Sequence, residues 1–264
     1  MSKRIAIPAS KSKNQFFINQ AYIEYLTQAG YEVVIVTPSS SIHDTVASCF
    51  GLVLPGGIDI DPIYYGEDNI CCQGSDPEKD DFERKLFYSF LNQNKPIFGI
   101  CRGFQLIMRE LIVNKIPGYK SFCFYQNLNR HKNVDELGIA RTIPSHSVTA
   151  AVGTLYGVEE LYSSIFVNSM HHQAVIIKVE RKTNPLVQVG QIFPLAVTKI
   201  GLTSNISNEE IKKKTKEAFV VEALGASINN TKIRAVQWHP EELRDIALLQ
   251  NFFGEKEEKL IVGK

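Results

Sequence analysis

The first hundred residues alternate short apolar runs with longer amphipathic stretches, and this alternation constrains the fold more than any other feature. The apolar runs are typical of strands buried on both faces, and they are residues 4–8, 32–37, 51–54 and 96–100. Residues 15–29 and 76–93 carry apolar side chains at helical spacing. Because parallel strands are joined by helical crossovers, the pattern predicts an α/β fold with a mostly parallel central sheet and helices on both faces.

Beyond residue 113 the pattern is less regular. Strands are predicted at 146–150 and 165–168, a late pair of strands at 219–224 and 233–238, and a closing helix at 242–253. Residues 114–144 receive no assignment, and residues 178–216, which contain Gly, Pro and a run of lysines, are predicted to be a surface excursion. Because no linker divides the chain, we expect one domain over residues 1–254 and a charged tail over 255–264.

Composition and charge exclude several classes of function. The chain has 29 Lys and Arg against 28 Asp and Glu, which gives no basic surface for nucleic acid. The N-terminal apolar run is too short for a signal peptide, and no run is long enough for a membrane helix. The five cysteines include an adjacent pair, Cys71 and Cys72, without metal-ligand or disulfide spacing. We therefore expect a cytoplasmic protein without nucleic-acid or membrane partners.

Cys101 lies where an apolar strand runs directly into an amphipathic helix. Gly99 and Gly103 flank it at two residues on either side, which is the spacing of a nucleophile elbow, a sharp strand-to-helix turn with small neighbours. Amides at the helix N-terminus favour the negatively charged thiolate, and the Arg102 side chain is a further source of positive charge. A lone cysteine is more often a small core residue, but strand, glycines and helix together favour a nucleophile.

A nucleophilic thiol needs a base, and the base needs a group that orients it. His239 lies at the end of a predicted strand and Glu241 follows two residues later, so strand alternation would place both side chains on one side. A His-x-Glu pair alone is more often structural, but with an elbow cysteine it completes a Cys101–His239–Glu241 triad. The histidines interpreted as ordinary surface or core residues are His43, His131 and His146.

Acyl transfer also needs backbone amides that stabilise the developing oxyanion. Arg102 supplies one amide by its position directly after the nucleophile. Gly57, at the end of another predicted strand, is the candidate for the second, because glycine lets the backbone approach a ligand closely. Taken alone, residues 55–57 are better explained as a tight turn.

Four segments together resemble the class I glutamine amidotransferase-like superfamily. They are residues 54–57 (Leu-Pro-Gly-Gly), 99–105 (Gly-Ile-Cys-Arg-Gly-Phe-Gln), 168–173 (Asn-Ser-Met-His-His-Gln) and 237–241 (Gln-Trp-His-Pro-Glu). The third segment, with residues 59–67 and 80–83, is similar more narrowly to the γ-glutamyl hydrolase branch that includes γ-glutamyl-γ-aminobutyrate hydrolases. The resemblance covers most of the chain, and it implies a flavodoxin-like fold.

The resemblance implies a role for each residue of the predicted catalytic site. Cys101 would be the nucleophile, His239 the acid and base, and Glu241 the residue that orients His239. The amides of Gly57 and Arg102 would form the oxyanion hole. The implied reaction is hydrolysis of a γ-glutamyl amide through a γ-glutamyl thioester, with release of glutamate.

The glutamyl end of the substrate would be held by a second group of residues. In the resembling family these positions correspond to Gln105, Ser169, His172 and Gln173. His171 is left open between a hydrogen-bonded core position and a substrate contact. Neither a metal nor an organic cofactor is expected, because no ligand cluster or phosphate loop is evident, and a homodimer is compatible with the sequence.

The sequence also departs from the resembling family. Residues 112–119, Met108 on the elbow helix and the long 178–216 connection differ from the usual pattern, so the leaving-group pocket is less certain than the triad. Two alternatives share the same motifs. One is a glutaminase subunit that delivers ammonia to a separate synthetase, and the other is a catalytically silent binding or regulatory module.

Overall fold

The computed structural model describes residues 3–72, 74–128, 131–199 and 216–254. In chain order its strands are β1 (Arg4–Pro8), β2 (Ser10–Ser12), β3 (Gln15–Phe17), β4 (Glu32–Val36), β5 (Gly51–Leu54), β6 (Ile97–Ile100), β7 (Phe122–Tyr125), β8 (His146–Ala150), β9 (Ser163–Val167), β10 (Ala174–Glu180), β11 (Ile192–Lys199), β12 (Lys216–Ile228) and β13 (Thr231–Val236). Its α-helices are α1 (Gln20–Gln28), α2 (Ile42–Ser48), α3 (Pro77–Asn92), α4 (Arg102–Val113), α5 (Val152–Tyr156), α6 (Pro240–Leu243) and α7 (Ile246–Phe253).

Five parallel strands carry the predicted motifs at one edge. Their order is β4-β1-β5-β6-β13, and each is parallel to its neighbours. Counted along the chain, this is the 2-1-3-4-5 order of flavodoxin-like sheets, in which ligands bind beyond the carboxyl ends of the strands. Strands β5 and β6 end directly before Pro55 and Cys101. The predicted α/β class and parallel central sheet are therefore confirmed.

Helices cover both faces of these strands, as the sequence predicts. On one face, α3 and α4 bury Phe90 and Phe104 against the sheet. On the other face, α1 and α7 bury Leu26 and Leu248. The strands β1, β5 and β6 are thus enclosed by two apolar cores, which explains why their sequences are continuous apolar runs rather than alternating ones.

The sheet continues beyond β13 with antiparallel strands, an extension that the sequence pattern does not predict. The order proceeds β13-β12-β11-β8-β9, and β10 pairs with both β12 and β7. The strands β12 and β13 are the predicted late pair, joined as a hairpin with Ala223 opposite Val236. This hairpin connects the parallel and antiparallel parts into one continuous sheet.

The surface excursion predicted for residues 178–216 is wrong for residues 192–199, whereas residues 181–190 are mostly exposed turns. Strand β11 lies inside it, and Ile192, Ala196 and Val197 are buried in the sheet. Pro194 made a central strand improbable from sequence, but the register of β11 on β12 shifts just after Pro194, which marks a local irregularity. Residues 200–215 of the predicted excursion lie outside the described residues.

The helix predicted for residues 15–29 is correct only in its second half. Residues 15–17 form β3, which pairs with β2 in a separate hairpin, and Phe16 is largely exposed there. The helix α1 begins at Gln20, where the Asn19 side chain accepts a hydrogen bond from the Ala21 amide. Phe16 therefore fitted the helical spacing of the apolar residues although it lies outside the helix.

The C-terminal prediction is confirmed in part. The closing helix is present, but it is divided into α6 and α7 at Arg244, whose φ is +55°. The predicted tail at 255–264 lies outside the described residues, and the single domain over residues 1–254 stays a prediction. Within the described ranges, no helix combines the length and the apolar character needed to cross a membrane.

Candidate active site

Cys101 lies at the tip of a strained turn between β6 and α4. Its backbone has φ +51° and ψ −103°, a region that residues with a side chain rarely adopt. Both flanking glycines are required by close backbone approach. A Cβ on Gly99 would lie 2.8 Å from the Gly103 carbonyl carbon, and a Cβ on Gly103 would lie 2.2 Å from the Leu54 carbonyl oxygen. The predicted elbow, with small neighbours around the cysteine, is confirmed.

His239 and Glu241 form a close pair beside the elbow. His239 Nδ1 lies 2.6 Å from Glu241 Oε1, and both residues are buried. The pairing does not arise from strand alternation, as the sequence suggested. Strand β13 ends at Val236, and His239 directly precedes α6, which carries Glu241 in its first turn. Pro240 at the first helical position fixes this turn.

The electrostatics of His239 reflect its two neighbours. Burial lowers the pKa of His239, but the charges of Glu241 and Cys101 outweigh it and raise the pKa from 6.5 to about 10. The ring also lies next to the elbow, because a Cβ on Gly56 would be 2.9 Å from His239 Cε1 and 3.6 Å from Cys101 Cβ. Nδ1 donates to the carboxylate, so Nε2 is the nitrogen left for proton transfer.

The positive charge of the Arg102 side chain is shared with two carboxylates and is not directed at Cys101 alone. It is 1% exposed and forms ion pairs with Asp80 and Glu83 of α3. Lys79 Nζ lies 2.5 Å from Glu83 Oε1 in the same buried network. The network therefore neutralises the guanidinium and ties α3 to the start of α4. It also explains why the Asp80–Glu83 segment accompanies the elbow in the sequence.

Tyr22 is a site residue that sequence reasoning missed. Its hydroxyl accepts a hydrogen bond of 2.9 Å from the Gly56 amide. Burial raises the pKa of Tyr22, and the charges of Glu241 and Cys101 raise it further, so the hydroxyl stays protonated. No motif marks Tyr22, and the only signal was its place on the inward face of α1.

The structure brings the two predicted oxyanion-hole residues together. A Cβ on Gly57 would lie 3.1 Å from Arg102 Cδ, so the β5 and β6 turns meet here. Arg102 is the first residue of α4, and amides in the first turn of a helix have no partner within the helix. The Gly56 amide is already used by Tyr22, which leaves Gly57 as the candidate on this turn.

The predicted substrate residue Ser169 is held in an internal network. Its amide donates to Asn133 Oδ1 at 3.0 Å, its carbonyl accepts from the Asn133 amide at 2.7 Å, and its hydroxyl donates to the His131 carbonyl at 2.7 Å. The residue is fully buried. These bonds hold Ser169 within the 168–173 loop, and its role as a substrate contact stays a prediction.

Gln105 and Gln173 are brought together, and both are buried. Gln105 Nε2 donates to the Gln173 carbonyl at 3.2 Å, and Gln173 Nε2 donates to the Ile60 carbonyl at 3.4 Å. The Oε1 atoms of both glutamines are buried acceptors without a hydrogen-bond partner among the described residues. The pair therefore offers two acceptors near the elbow helix.

His172 and His171 point to different surroundings. His172 Nε2 lies 2.6 Å from Asp59 Oδ2, and its Nδ1 lies 3.5 Å from Cys71 Sγ. His171 is buried against Glu222 of β12. The question left open by the sequence is answered for His171, which occupies an interior position.

Asn168 joins two of the predicted motifs and was also missed as a site residue. Its Oδ1 accepts from the His239 amide at 2.9 Å, and its Nδ2 donates to the His239 carbonyl at 3.1 Å. The 168–173 loop and His239 are thus fixed to each other. The signal was present, because Asn168 opens the loop motif, but spacing alone does not reveal a partner 71 residues away.

A cleft of about 410 Å³ opens at Cys101 and His239. A smaller cavity of about 230 Å³, lined by Asp59 and His172, adjoins it. The residues common to both linings are Ile58, Arg141 and Met170. The acidic and basic side chains that line the larger cleft are Lys11, Lys79, Arg141 and Asp76.

The comparisons with known proteins agree with the motifs. The Peptidase C26 family model matches residues 3–186. YvdE of Lactococcus lactis, whose name describes it as a glutamine amidotransferase-like protein, is 29% identical over 232 residues, covering 85% of this chain and 80% of that protein. A γ-glutamyl-γ-aminobutyrate hydrolase of Escherichia coli O157:H7 is 29% identical over 195 residues, covering 72% of this chain and 63% of that enzyme.

Solved structures support the fold. The glutaminase domain of Trypanosoma brucei CTPS with bound acivicin matches with a TM-score of 0.53 at 14% identity, covering 97% of this chain and 96% of that chain. A glutamine amidotransferase from Thermotoga maritima matches with a TM-score of 0.51 at 9% identity, covering 97% of this chain and all of that chain. With the family match over more than half of its length, the chain belongs to the Peptidase C26 family of class I glutamine amidotransferase-like proteins.

Proposed function

We propose that the protein is a cysteine-dependent hydrolase that cleaves γ-glutamyl amide bonds through a γ-glutamyl thioester. The observation that carries this proposal is the arrangement of Cys101 on its elbow beside His239, with His239 held 2.6 Å from Glu241. A thiol, an oriented imidazole and a buried carboxylate are the parts of a nucleophilic triad. The C26 relatives named above are consistent with this chemistry.

In the first step, His239 is protonated and faces the Cys101 thiolate, because the charges of Glu241 and Cys101 raise the pKa of His239 to about 10. The Cys101 sulfur then attacks the γ-carbonyl carbon, and the carbonyl oxygen becomes negatively charged. The amides of Gly57 and Arg102 stabilise that oxyanion as backbone donors. Protonated His239 gives its proton to the departing amine as the C–N bond breaks, which leaves a thioester on Cys101.

In the second step, water replaces the amine. His239 removes a proton from the attacking water, the same amides hold the oxyanion, and the C–S bond breaks. The proton stays on His239 Nε2 beside the Cys101 thiolate, so the enzyme is restored and glutamate leaves. Glu241 keeps the imidazole in one tautomer through both steps and stabilises its charged form.

The glutamyl end of the substrate is assigned to the side of the cleft formed by the 168–173 loop, where Met170 lies in the wall. Gln105 and Gln173 are buried and are not among the residues that line the cleft, so their contact with the glutamyl group stays a prediction. The Asp59–His172 pair lines the adjoining cavity and would contribute to the same end. Ser169 supports this loop from behind.

The leaving amine is assigned to the remainder of the cleft. The basic residues in its wall are Lys11, Lys79 and Arg141, and each is ion-paired, with Glu78, Glu83 and Glu242 respectively. The choice of γ-aminobutyrate as the leaving amine therefore rests on the relative named as a γ-glutamyl-γ-aminobutyrate hydrolase. A glutaminase that passes ammonia to a synthetase would use the same triad.

The test is glutamate release from three substrates: γ-glutamyl-γ-aminobutyrate, a γ-glutamyl alkylamide without charge, and glutamine. We expect the highest kcat/KM for the acidic leaving group and complete loss of turnover in Cys101→Ala. Serine at position 101 is the matched control, because it keeps the size of the side chain but not the thiol. Turnover by Cys101→Ala would contradict the nucleophile, and release from glutamine only with a partner protein would support the glutaminase alternative.

A further inference from the structure

Four side chains from separate parts of the chain meet behind the 168–173 loop. They are His131, His146 at the start of β8, His171 in the loop, and Glu222 of β12. The side chains of Glu222 and His171 are 0% and 2% exposed. A buried carboxylate needs compensating positive charge or hydrogen bonds, and the proposed hydrolysis gives none of these residues a role.

All three imidazoles direct Nε2 at the Glu222 carboxylate. His146 Nε2 lies 3.1 Å and His131 Nε2 lies 3.6 Å from Oε1, while His171 Nε2 lies 3.9 Å from Oε2. Ligand atoms of His131, His146 and Glu222 all lie within 4.8 Å of one another. Two ligands of a tetrahedral zinc ion are about 3.3 Å apart, so these atoms would have to approach one another by at most about 1.5 Å to enclose one ion.

The ring positions agree with a common centre. The centroid of the His131 ring lies 4.9 Å from that of His146 and 5.2 Å from that of His171. Imidazoles that bind one zinc ion through Nε2 in tetrahedral geometry have centroids about 5 Å apart, given Zn–N bonds of about 2 Å. The three rings are therefore spaced as ligands and not stacked as packed neighbours.

The protonation of His171 gives an independent argument for a cation. Its Nδ1 lies 3.0 Å from the Gln173 carbonyl oxygen, which can only accept, so Nδ1 carries the hydrogen. In the neutral ring, Nε2 then presents a lone pair towards Glu222 Oε2. Both atoms are buried without a hydrogen-bond partner among the described residues. A histidine whose other nitrogen donates to a backbone carbonyl is the usual arrangement of a metal ligand.

We propose that His131, His146, His171 and Glu222 bind one divalent metal ion of the zinc class. Three imidazole nitrogens and one carboxylate oxygen are ligands that zinc prefers, and four protein ligands form a closed tetrahedral set. A closed set leaves no position for a reacting water, so the ion has a structural role. No sequence motif marks this site, because the ligands are far apart along the chain and lack a short ligand spacing.

The ion would fix the 168–173 loop against the sheet. The His171 amide already donates to the His131 carbonyl at 2.9 Å, and Ser169 donates to the same oxygen. A metal bond would add links from this loop to β8 and β12. His172, the next residue along the loop, would then be held in place for its contact with Asp59. Metal binding does not depend on hydrolysis, so the two proposals stand or fall separately.

The experiment measures zinc binding to the full-length protein carrying Cys101→Ser, which removes the thiol of the triad as a competing ligand. The protein is stripped with a chelator, titrated with Zn²⁺ alone and desalted, and its zinc content is measured by mass spectrometry of the element. We expect about one Zn²⁺ per chain and a Tm that rises with Zn²⁺ concentration. Failure to retain zinc, with an unchanged Tm, would overturn the proposal.

Variants locate the bound ion. Zinc affinity should fall by at least about tenfold in Glu222→Gln and in His146→Ala. His146 is partly exposed, so its variant is expected to fold even where the Glu222 variant does not, and circular dichroism checks this. The controls Cys71→Ser and His43→Ala should bind zinc normally. Normal binding by folded His146→Ala, or loss of zinc in Cys71→Ser, would place the ion elsewhere and contradict the site.

Discussion

At the scale of single residues, Cys101 combines a strained backbone with a position in the wall of the cleft that His239 also lines. Its φ of +51° and ψ of −103° cost about 1–3 kcal/mol for a residue with a side chain. The turn persists because Gly99 and Gly103 allow the backbones of β6, α4 and β5 to touch. The strained turn holds the Cys101 side chain next to the His239 ring, since both lie beside Gly56.

The Glu241 carboxylate should control the pH dependence of the site. In the wild type, the pKa of His239 is raised from 6.5 to about 10, so the stabilisation by its charged form is complete below pH 6.5 and is lost as pH rises towards 10. In Glu241→Gln, burial should lower that pKa, and the loss of stability over this range should shrink. We also expect kcat to fall by about 10²–10⁴-fold.

Urea unfolding at the two ends of that pH range measures the first effect, and the steady-state rate measures the second. Glu242→Gln is the matched control, because Glu242 is the next carboxylate in α6 and pairs with Arg141 and not with His239. An identical pH dependence of stability in the wild type and in Glu241→Gln would remove Glu241 from its assigned role.

The residues that the sequence could predict are those with a fixed local spacing. Cys101 between two glycines and the His239–Glu241 pair are such cases, and the structure places all three together. Tyr22 and Asn168 act through partners distant along the chain, so no local pattern identifies them. For Ser169, the sequence motif was evident, but the hydrogen bonds to Asn133 and His131 could not be predicted from it.

At the scale of elements, the contact between α4 and β5 depends on the absence of one side chain. Gly103→Ala would place a Cβ 2.2 Å from the Leu54 carbonyl oxygen, which is backbone and cannot turn aside. We expect the free energy of unfolding to fall by about 3 kcal/mol or more, with loss of activity as the elbow moves.

The control for this substitution is Gly138→Ala, measured by the same chemical denaturation. Gly138 has φ +62°, and no heavy atom lies within 4 Å of its Cβ position. Alanine there should cost only about 1 kcal/mol, from the left-handed backbone. Equal losses for the two variants would show that the close approach at Gly103 is not what limits its replacement.

The strands differed in how well the sequence pattern predicted them. The strands β1, β5 and β6 are buried on both faces, so their continuous apolar runs were unambiguous. The edge strand β4 was predicted from the same kind of run, although Ile35 is half-exposed. The short hairpin of β2 and β3 was mistaken for a helical turn because Phe16 is apolar although it is exposed. Strand β11 was not predicted, because Pro194 within it and Gly190 just before it are residues typical of turns.

At the scale of the whole molecule, the chain order of the parallel strands brings the motifs to one edge. The turns after β5 and β6 carry Gly57 and Cys101, and the turn after β13 carries His239. Although these turns are far apart along the chain, the order β5-β6-β13 makes them neighbours in the sheet. Antiparallel strands then extend the sheet to the 168–173 loop, a part of the fold that local patterns could not predict because it depends on distant pairing.

The continuous sheet predicts that the described parts unfold together. Trp238 is the single tryptophan and is fully buried next to the β12–β13 hairpin, so its fluorescence reports on the junction of the two parts of the sheet. In a urea titration we expect its midpoint to coincide with that of far-UV circular dichroism, which reports on all elements. Separate midpoints would indicate two units and contradict the single domain expected from sequence.

The most direct test of the central claim is the intact mass of the protein during turnover. The wild type is mixed with γ-glutamyl-γ-aminobutyrate, stopped with acid after a short interval and analysed by mass spectrometry, with peptide mapping of the product. The proposed mechanism predicts a mass increase of one glutamyl group, located on Cys101 and absent from Cys101→Ala. Steady release of glutamate with the adduct on another residue, or with the adduct persisting in Cys101→Ala, would contradict the thioester at Cys101.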